Sequence, residues 1–171
     1  TIEKEDLEKL YVKLEHLTDG DILVLSGSMA SGVDHNFYAD VMKYLEGRKI
    51  RIVVDAVGSI LKTVLPYHPY LIKPNQHELS EIFGQEVLEE QVEEYACKLV
   101  SMGAQNVLVS LGTKGALLAN HKVLHCDAPS GEVLNSVGAG DSMVAAFLVS
   151  KLNGEDDQTA LEKSVAMGSA T

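Results

Sequence analysis

Short apolar runs alternate with stretches of helical periodicity along this chain, and that alternation constrains its fold more than any other feature. The runs at 21–26, 50–55, 70–73 and 106–111 have the length of strands. The early runs are apolar throughout rather than at every second position, which is typical of a parallel sheet covered by helices on both faces. We therefore expect fully buried strands in an α/β fold, and 171 residues suffice for one domain with its own core.

Helices are expected between the strand-like runs. Asp34 is the candidate N-cap of the second helix, and Pro66 is expected to stop the third. Residues 112–115 resemble a turn, so 116–119 and 122–126 are expected to form antiparallel strands at one edge of the sheet. The predicted helices cover 3–17, 34–46, 60–65, 76–83, 88–102, 139–152 and the residues from 156 onward.

Composition excludes several functional classes. The net charge of −11 argues against nonspecific binding to nucleic acid, although it leaves phosphorylated metabolites open as ligands. No apolar run could span a membrane, and no secretory signal is visible. Cys97, Cys126 and the six histidines show no metal-ligand spacing, so we expect no zinc site and a reducing, cytoplasmic location.

Polar residues and glycines cluster just after the predicted strands. Ligands of open α/β sheets bind beyond the carboxyl ends of the strands, so these residues are expected on one rim of the sheet. The segments are Ser26–Ser28, Asp55, Lys73–Asn75, Ser110–Gly112 and 137–141.

The turn at Val137–Ser142 places two glycines and an acid at the start of an apolar helix. Unpaired backbone N–H groups at the positive end of a helix dipole form an anion site, and phosphate is the usual anion. Asp141 would repel a passively bound phosphate, but it suits a base that activates a nucleophile attacking that phosphate. The alternative is a simple helix start in which the acid complements the dipole.

Two further segments each have a functional and a structural interpretation. The loop 26–32 could approach a polar ligand, or could be a glycine-dependent connection to the next helix. Asn75 and Glu78 form a possible capping box, and they could also lie near a metal-bound phosphate, with Lys73 adding positive charge.

The segment 110–115 is expected to be a hairpin turn, or alternatively a contact to nucleotide phosphate. The chain lacks the P-loop spacing, and it lacks Gly-x-Gly-x-x-Gly after the first strand.

Taken in order, Asn75–Glu78, Ser110–Gly115 and Asn135–Ser142 resemble motifs of the PfkB, or ribokinase-like, carbohydrate kinases. The resemblance implies a ribokinase-like three-layer sandwich and ATP-dependent phosphorylation of a sugar phosphate. Fructose 1-phosphate, converted to fructose 1,6-bisphosphate, is the first choice of substrate, and tagatose 6-phosphate or another sugar is the alternative. ATP and Mg²⁺ are the implied cofactors, and the intact protein is a possible homodimer.

The resemblance also implies a role for each motif. Asp141 would be the catalytic base, and Asn75 with Glu78 would organise Mg²⁺ and phosphate indirectly. Gly27 and Lys73 would lie on the sugar-phosphate side. The amides of Gly138, Ala139, Gly140 and Asp141 would form an anion hole, and ATP would contact Ser110, Leu111, Gly112, Thr113, Lys114 and Gly115 together with Gly140 and Asp141.

Two departures from the family pattern limit these expectations. Met29–Ser31 replaces a leucine- and proline-rich loop, and the family's N-terminal lid and the last part of its adenine pocket have no counterpart in the chain. Residues 1–171 are therefore expected to be the C-terminal, nucleotide-side portion of a longer kinase. A non-catalytic module binding nucleotide or sugar phosphate is the alternative from another class, and a purely structural role for the glycine turns is the third.

Overall fold

The computed structural model describes residues 3–30, 32–130 and 137–171, and its centre is one six-stranded sheet. The strands follow one another in sequence order across the sheet. The first four are parallel to one another, and the fifth is antiparallel to both the fourth and the sixth, as the hairpin prediction requires. The strands are β1 (Ile22–Ser26), β2 (Arg51–Asp55), β3 (Leu71–Ile72), β4 (Val107–Ser110), β5 (Ala116–Ala119) and β6 (Val123–Cys126).

Helices cover both faces of the sheet, which confirms the predicted α/β class and three-layer arrangement. Single 3₁₀ turns at Leu65–Tyr67, Glu89–Gln91 and Gly112–Lys114 connect the elements. The helices are α1 (Lys4–Glu15), α2 (Phe37–Tyr44), α3 (Gly58–Val64), α4 (Gln76–Phe83), α5 (Val92–Ser101), α6 (Ala139–Leu152) and α7 (Asp157–Ala170).

Side chains of the central strands alternate between two hydrophobic cores. Val54 and Ile72 belong to the core beneath α2, α3 and α5, whereas Val53 and Leu71 belong to the core beneath α6 and α7. A continuous apolar run can therefore still obey the period of two that a strand imposes, because each face of the sheet has its own core. A strand of this sheet is buried where a hydrophobic core covers each of its two faces.

The prediction that the first strand is fully buried is wrong. Ile22, Leu23 and Leu25 are only half-buried, and Val24 is 44% exposed. The reason is positional, since β1 is an edge strand of this sheet. Leu23 and Leu25 pack against the first core, while Val24 points to the other face.

The predicted second helix begins too early. Asp34 does not cap it, because Asp34 Oδ1 accepts a hydrogen bond from the backbone N–H of Asn36 at 2.7 Å and so forms a turn ahead of the helix. Asn36 occupies the N-cap position of α2, although its side chain makes no capping bond. The third helix begins at Gly58, and Pro66 lies in the 3₁₀ turn that ends it, as predicted.

The long prediction over 88–102 divides into a 3₁₀ turn and α5, and the predicted strand 70–73 shortens to two residues. The helices predicted over 76–83 and 139–152 are confirmed at both ends. In the described ranges, no helix is both long and apolar enough to cross a bilayer.

Candidate active site

The carboxyl ends of the first two strands are joined by backbone hydrogen bonds. Ser26 lies opposite Asp55 in the parallel register, and the N–H of Gly27 donates to the Asp55 carbonyl at 2.9 Å. The Tyr38 hydroxyl donates to the Ser26 carbonyl at 2.8 Å and so ties the end of β1 to α2. Gly27 has a φ of +94°, a conformation that side chains disfavour, so glycine is required for this turn.

The ends of the third and fourth strands are joined in the same way. The N–H of Ser110 donates to the Pro74 carbonyl at 3.1 Å, and Asn75 forms an isolated parallel bridge with Ser110. The predicted capping box at the start of α4 is present as well. Asn75 Oδ1 accepts from the Glu78 N–H at 2.9 Å, and Glu78 Oε2 accepts from the Asn75 N–H at 2.9 Å.

A buried ion pair lies at the centre of this rim. Lys73 Nζ is 3.4 Å from Asp55 Oδ1, and the two side chains are only 9% and 16% exposed. The start of α6 contacts the same lysine, since a Cβ placed on Gly140 would stand 2.9 Å from Lys73 Nζ. Glycine at position 140 therefore lets the ammonium group lie directly against the first turn of α6.

Negative charge is concentrated around that single lysine. Burial raises the pKa of Asp55, the Lys73 ammonium acts in the opposite direction, and the charge of Asp141 raises it further. Burial also raises the pKa of Glu78, against the hydrogen bond from Asn75 and the charge of Lys73. Carboxyl groups with perturbed pKa values that share one cation are typical of a functional site.

The first turn of α6 is the candidate anion site. Gly138 is the N-cap residue with a φ of +84°, and the helix begins at Ala139. Ala139 and Gly140 are half-buried and Asp141 is exposed, and the N–H groups of a first helical turn have no partner within the helix. Asn135 and Ser136 of the predicted signature, and Ser31 of the first loop, lie outside the described residues.

The predicted ATP turn contributes to a separate groove. Gly112–Lys114 is a 3₁₀ turn between β4 and β5, and the N–H of Leu111 donates to the Gly115 carbonyl at 2.9 Å. Thr113 and Lys114 line the groove together with Glu89, His125 and Cys126. The Lys114 ammonium makes an ion pair with Glu89, so a nucleotide phosphate would have to compete for it.

The structure thus brings most of the predicted site residues together at one rim. Lys73, Glu78, Gly140 and Asp141 surround Asp55, and Ser110 joins them through Asn75. Thr113 and Lys114 lie apart, in the groove beside β6. Asp55 is not among the predicted site residues. The sequence feature that could have identified it is an acid at the end of an apolar strand.

The donor set fits magnesium better than a metal held by protein alone. No group of three or more His, Cys, Asp or Glu side chains is close enough to hold a metal within residues 3–30, 32–130 and 137–171. Mg²⁺ commonly takes one or two carboxylates and completes its shell with water and substrate phosphate. Glu78, half-buried beside Lys73, can supply such a carboxylate.

Comparison with known proteins identifies relatives of the chain. The chain is 39% identical to 1-phosphofructokinase of Bacillus subtilis (strain 168) over 173 aligned residues, which cover 100% of the chain and 57% of that protein. It is 34% identical to D-tagatose-1-phosphate kinase of Bacillus licheniformis, with 96% of the chain and 55% of the relative covered. The chain therefore spans little more than half the length of these relatives.

A solved structure shows the same fold. Phosphofructokinase-2 from Escherichia coli, crystallised in complex with substrates and products, superposes with a TM-score of 0.93 at 31% identity, covering 99% of the chain and 57% of that protein. The profile of the pfkB family carbohydrate kinases matches residues 1–171. By this match over its whole length and by its fold, the chain belongs to the pfkB family of carbohydrate kinases.

Proposed function

We propose that the chain is the C-terminal, nucleotide-side portion of an ATP-dependent sugar-phosphate kinase. The observation that carries the proposal is the contact between Lys73 and Gly140, which brings the buried cation of the strand rim to the first turn of α6. That arrangement joins an anion site, a lysine and a free carboxylate at the carboxyl edge of the sheet. Phosphoryl transfer needs these elements, because its catalysis consists mainly of positioning and charge stabilisation.

Each residue has a defined task in this mechanism. Asp141 accepts the proton of the attacking sugar hydroxyl. The N–H groups of residues 138–141 bind the oxygens of the transferring phosphoryl group, and Lys73 adds positive charge beside them. Asp55 holds Lys73 in place through the 3.4 Å ion pair.

Groups around this centre would hold magnesium and ATP. Asn75 and Glu78 would hold Mg²⁺ through water and phosphate oxygens, and the bound ion would neutralise charge on the phosphates. Ser110–Gly115 would contact the nucleotide, with Lys114 released from Glu89. Gly27, whose turn is tied to Asp55, would lie on the sugar-phosphate side.

The substrate we propose is fructose 1-phosphate, with fructose 1,6-bisphosphate as the product. The 39% identity to a 1-phosphofructokinase supports this choice over a tagatose phosphate, for which the relative is 34% identical. A panel of fructose 1-phosphate, tagatose 6-phosphate, tagatose 1-phosphate and fructose 6-phosphate tests the choice in the intact protein. A preferred substrate other than fructose 1-phosphate would overturn it and leave the kinase assignment standing.

Asp141→Asn in the intact protein tests the mechanism. Loss of the base is expected to reduce turnover by ~10²–10⁴-fold while calorimetry still detects ATP binding. Asp19→Asn is the matched control, because Asp19 is an exposed acid in the turn before β1 and pairs only loosely with Lys49 at 3.7 Å. Turnover near the wild-type rate in Asp141→Asn would remove the proposed role of this residue.

A binding module without catalysis remains the alternative from another class. It predicts heat on titration with ATP or sugar phosphate but no product in the intact wild-type protein. The intact Asp141 and the glycine turn ahead of it favour the kinase, since a module that only binds phosphate has no use for a carboxylate beside it.

A further inference from the structure

The last turn of α7 packs against the first turn of α6, and none of the proposed catalytic tasks uses this contact. Gly168 near the end of α7 and Thr171, its C-cap residue, make this contact. Gly138, Ala139 and Ser142 lie opposite them and include two residues of the proposed anion hole. The two helix ends therefore meet at the point where phosphoryl transfer would occur.

Gly168 permits the close approach of the two helices. A Cβ at this position would stand 2.6 Å from Met143 Cγ and 3.3 Å from the carbonyl oxygen of Ala139. The first distance is shorter than real Cβ contacts allow, and Met143 is buried in the core beneath α6 and α7. A side chain at 168 would consequently push the first residues of α6 away from α7.

Thr171 adds a polar contact to the same turn. Its Oγ1 lies 2.8 Å from Ser142 Oγ and 2.9 Å from the Met167 carbonyl oxygen, so one threonine hydroxyl links the two helices. Its methyl carbon lies 3.4 Å from the Cβ position of Gly138. Ser142 itself donates its N–H to the Gly138 carbonyl at 2.9 Å, the first hydrogen bond of α6.

We infer that Gly168 and Thr171 are positioning residues that hold the Gly138–Ser142 turn in the geometry needed for phosphoryl transfer. The inference rests on the proposed kinase function of that turn. The turn is partly exposed and has positive φ at its cap, so its movement is restricted by packing from α7 on one side and by Lys73 against Gly140 on another. Small displacements matter here, because a shift of about 1 Å at a reacting centre can cost ~10²-fold in rate.

The test uses Gly168→Ala, Thr171→Val and Thr171→Ser in the intact protein. Gly168→Ala is expected to lower kcat by about 10–100-fold and Thr171→Val by about fivefold, while the KM for ATP stays within twofold. Thr171→Ser keeps the hydroxyl, so it should retain most of the kcat that Thr171→Val loses. Alanine is otherwise the better helix residue, so helix propensity cannot explain a loss in Gly168→Ala.

Ser169→Ala is the control, since Ser169 is an exposed hydroxyl residue at the same end of α7. It should leave both kcat and KM unchanged. Wild-type kcat in both Gly168→Ala and Thr171→Val would overturn the inference, as would an equal loss in Thr171→Ser and Thr171→Val.

Hydrogen exchange separates this inference from the function on which it rests. The amides of Ser142 and Met143, the first that donate hydrogen bonds within α6, should exchange faster in Gly168→Ala and Thr171→Val than in the wild-type protein, whether or not any sugar phosphate is turned over. Unchanged protection would refute the positioning role even in an inactive protein. Absence of turnover in the wild type, with faster exchange in the variants, would refute only the kinase.

Discussion

Two buried lysine–aspartate pairs lie at opposite ends of the sheet and differ in how completely they are satisfied. Lys73 and Asp55 lie 3.4 Å apart at the carboxyl ends of the parallel strands. Lys151 and Asp157 lie 2.8 Å apart at the other end, where the Asp157 side chain is 11% exposed. The residue types match, but their surroundings do not.

Asp157 belongs to a satisfied network. Asn120 Nδ2 lies 3.2 Å from Asp157 Oδ2 and 3.1 Å from Asn106 Oδ1, and Asn106 donates in turn to the Tyr70 carbonyl at 2.8 Å. Burial opposes ionisation of Asp157, but the hydrogen bonds from Lys151 and Asn120 outweigh it and lower the pKa. The network ties the start of α7 to the sheet.

Asp55 has the opposite balance, because burial and the charge of Asp141 raise its pKa in spite of Lys73. A pair that shares its cation with further acids is poorly satisfied in the protein alone, whereas a bound cation would add the positive charge that these acids lack. The comparison indicates that an ion pair's burial alone does not reveal its purpose. The number of partners that satisfy each pair distinguishes the Lys151–Asp157 pair from the Lys73–Asp55 pair, for which we propose a function.

Replacing each lysine with methionine should give the largest difference between the two pairs. Lys73→Met removes the cation beside the anion hole and is expected to lower kcat/KM by ~10²–10³-fold. Lys151→Met should leave kcat/KM within about threefold and lower the free energy of unfolding instead. Steady-state kinetics and urea unfolding of both variants check this, and equal kinetic losses would mean that the two pairs are not functionally distinct.

Gly140→Ala should disturb only the Lys73 pair. The added methyl group would stand 2.9 Å from Lys73 Nζ and displace it from Asp55. We expect kcat to fall by about tenfold or more with little change in the melting temperature, because an ammonium group can move but its placement matters for catalysis. Kinetics and thermal unfolding provide the measurement, and Ala145→Gly, at an exposed position of α6, controls for helix propensity.

Asp157→Ala should act on stability alone. Removing this carboxylate takes one acceptor from Lys151 and one from Asn120, although each keeps a second, so the free energy of unfolding should fall by about 1–3 kcal/mol. The folded fraction should retain normal turnover. A kinetic defect that persists in fully folded protein would show that the network also shapes the active site.

The smallest expected difference between the two regions is in the pH dependence of stability. The pKa of Glu78 is raised above its ordinary value of 4.5, so its contribution to stability is present below 4.5 and is lost as pH rises through the folded-state pKa. The pKa of Asp157 is lowered below 3.8, so its contribution is present above 3.8 and is lost as pH falls through the folded-state pKa.

Glu78→Gln should therefore gain stability relative to wild type as pH rises above 4.5, and Asp157→Asn should lose stability relative to wild type as pH rises toward 3.8 and beyond. Urea unfolding from acid to neutral pH measures both differences. Slopes of the same sign for the two variants would contradict the opposite pKa shifts.

Local signals in the sequence predicted most of the elements and several site residues. The helix at 76–83 was predictable because Asn75 and Glu78 form a capping box within four residues. The helix at 139–152 was predictable because a glycine turn precedes an apolar run. The exposure of β1 was not, because an edge strand and a central strand can have the same apolar sequence.

Local sequence patterns predicted the α/β class, the antiparallel hairpin, and a glycine turn with an acid at the start of α6, since these depend on patterns within a few residues. Three contacts became visible only in the folded structure. Lys73 lies against Gly140, and Asp55, unlike Asp157, shares its cation with other acids. Gly168 and Thr171 reach the turn at 138–142. Those contacts join residues distant in the chain. They depend on how the strands align and how closely two helices can approach, which local patterns do not encode.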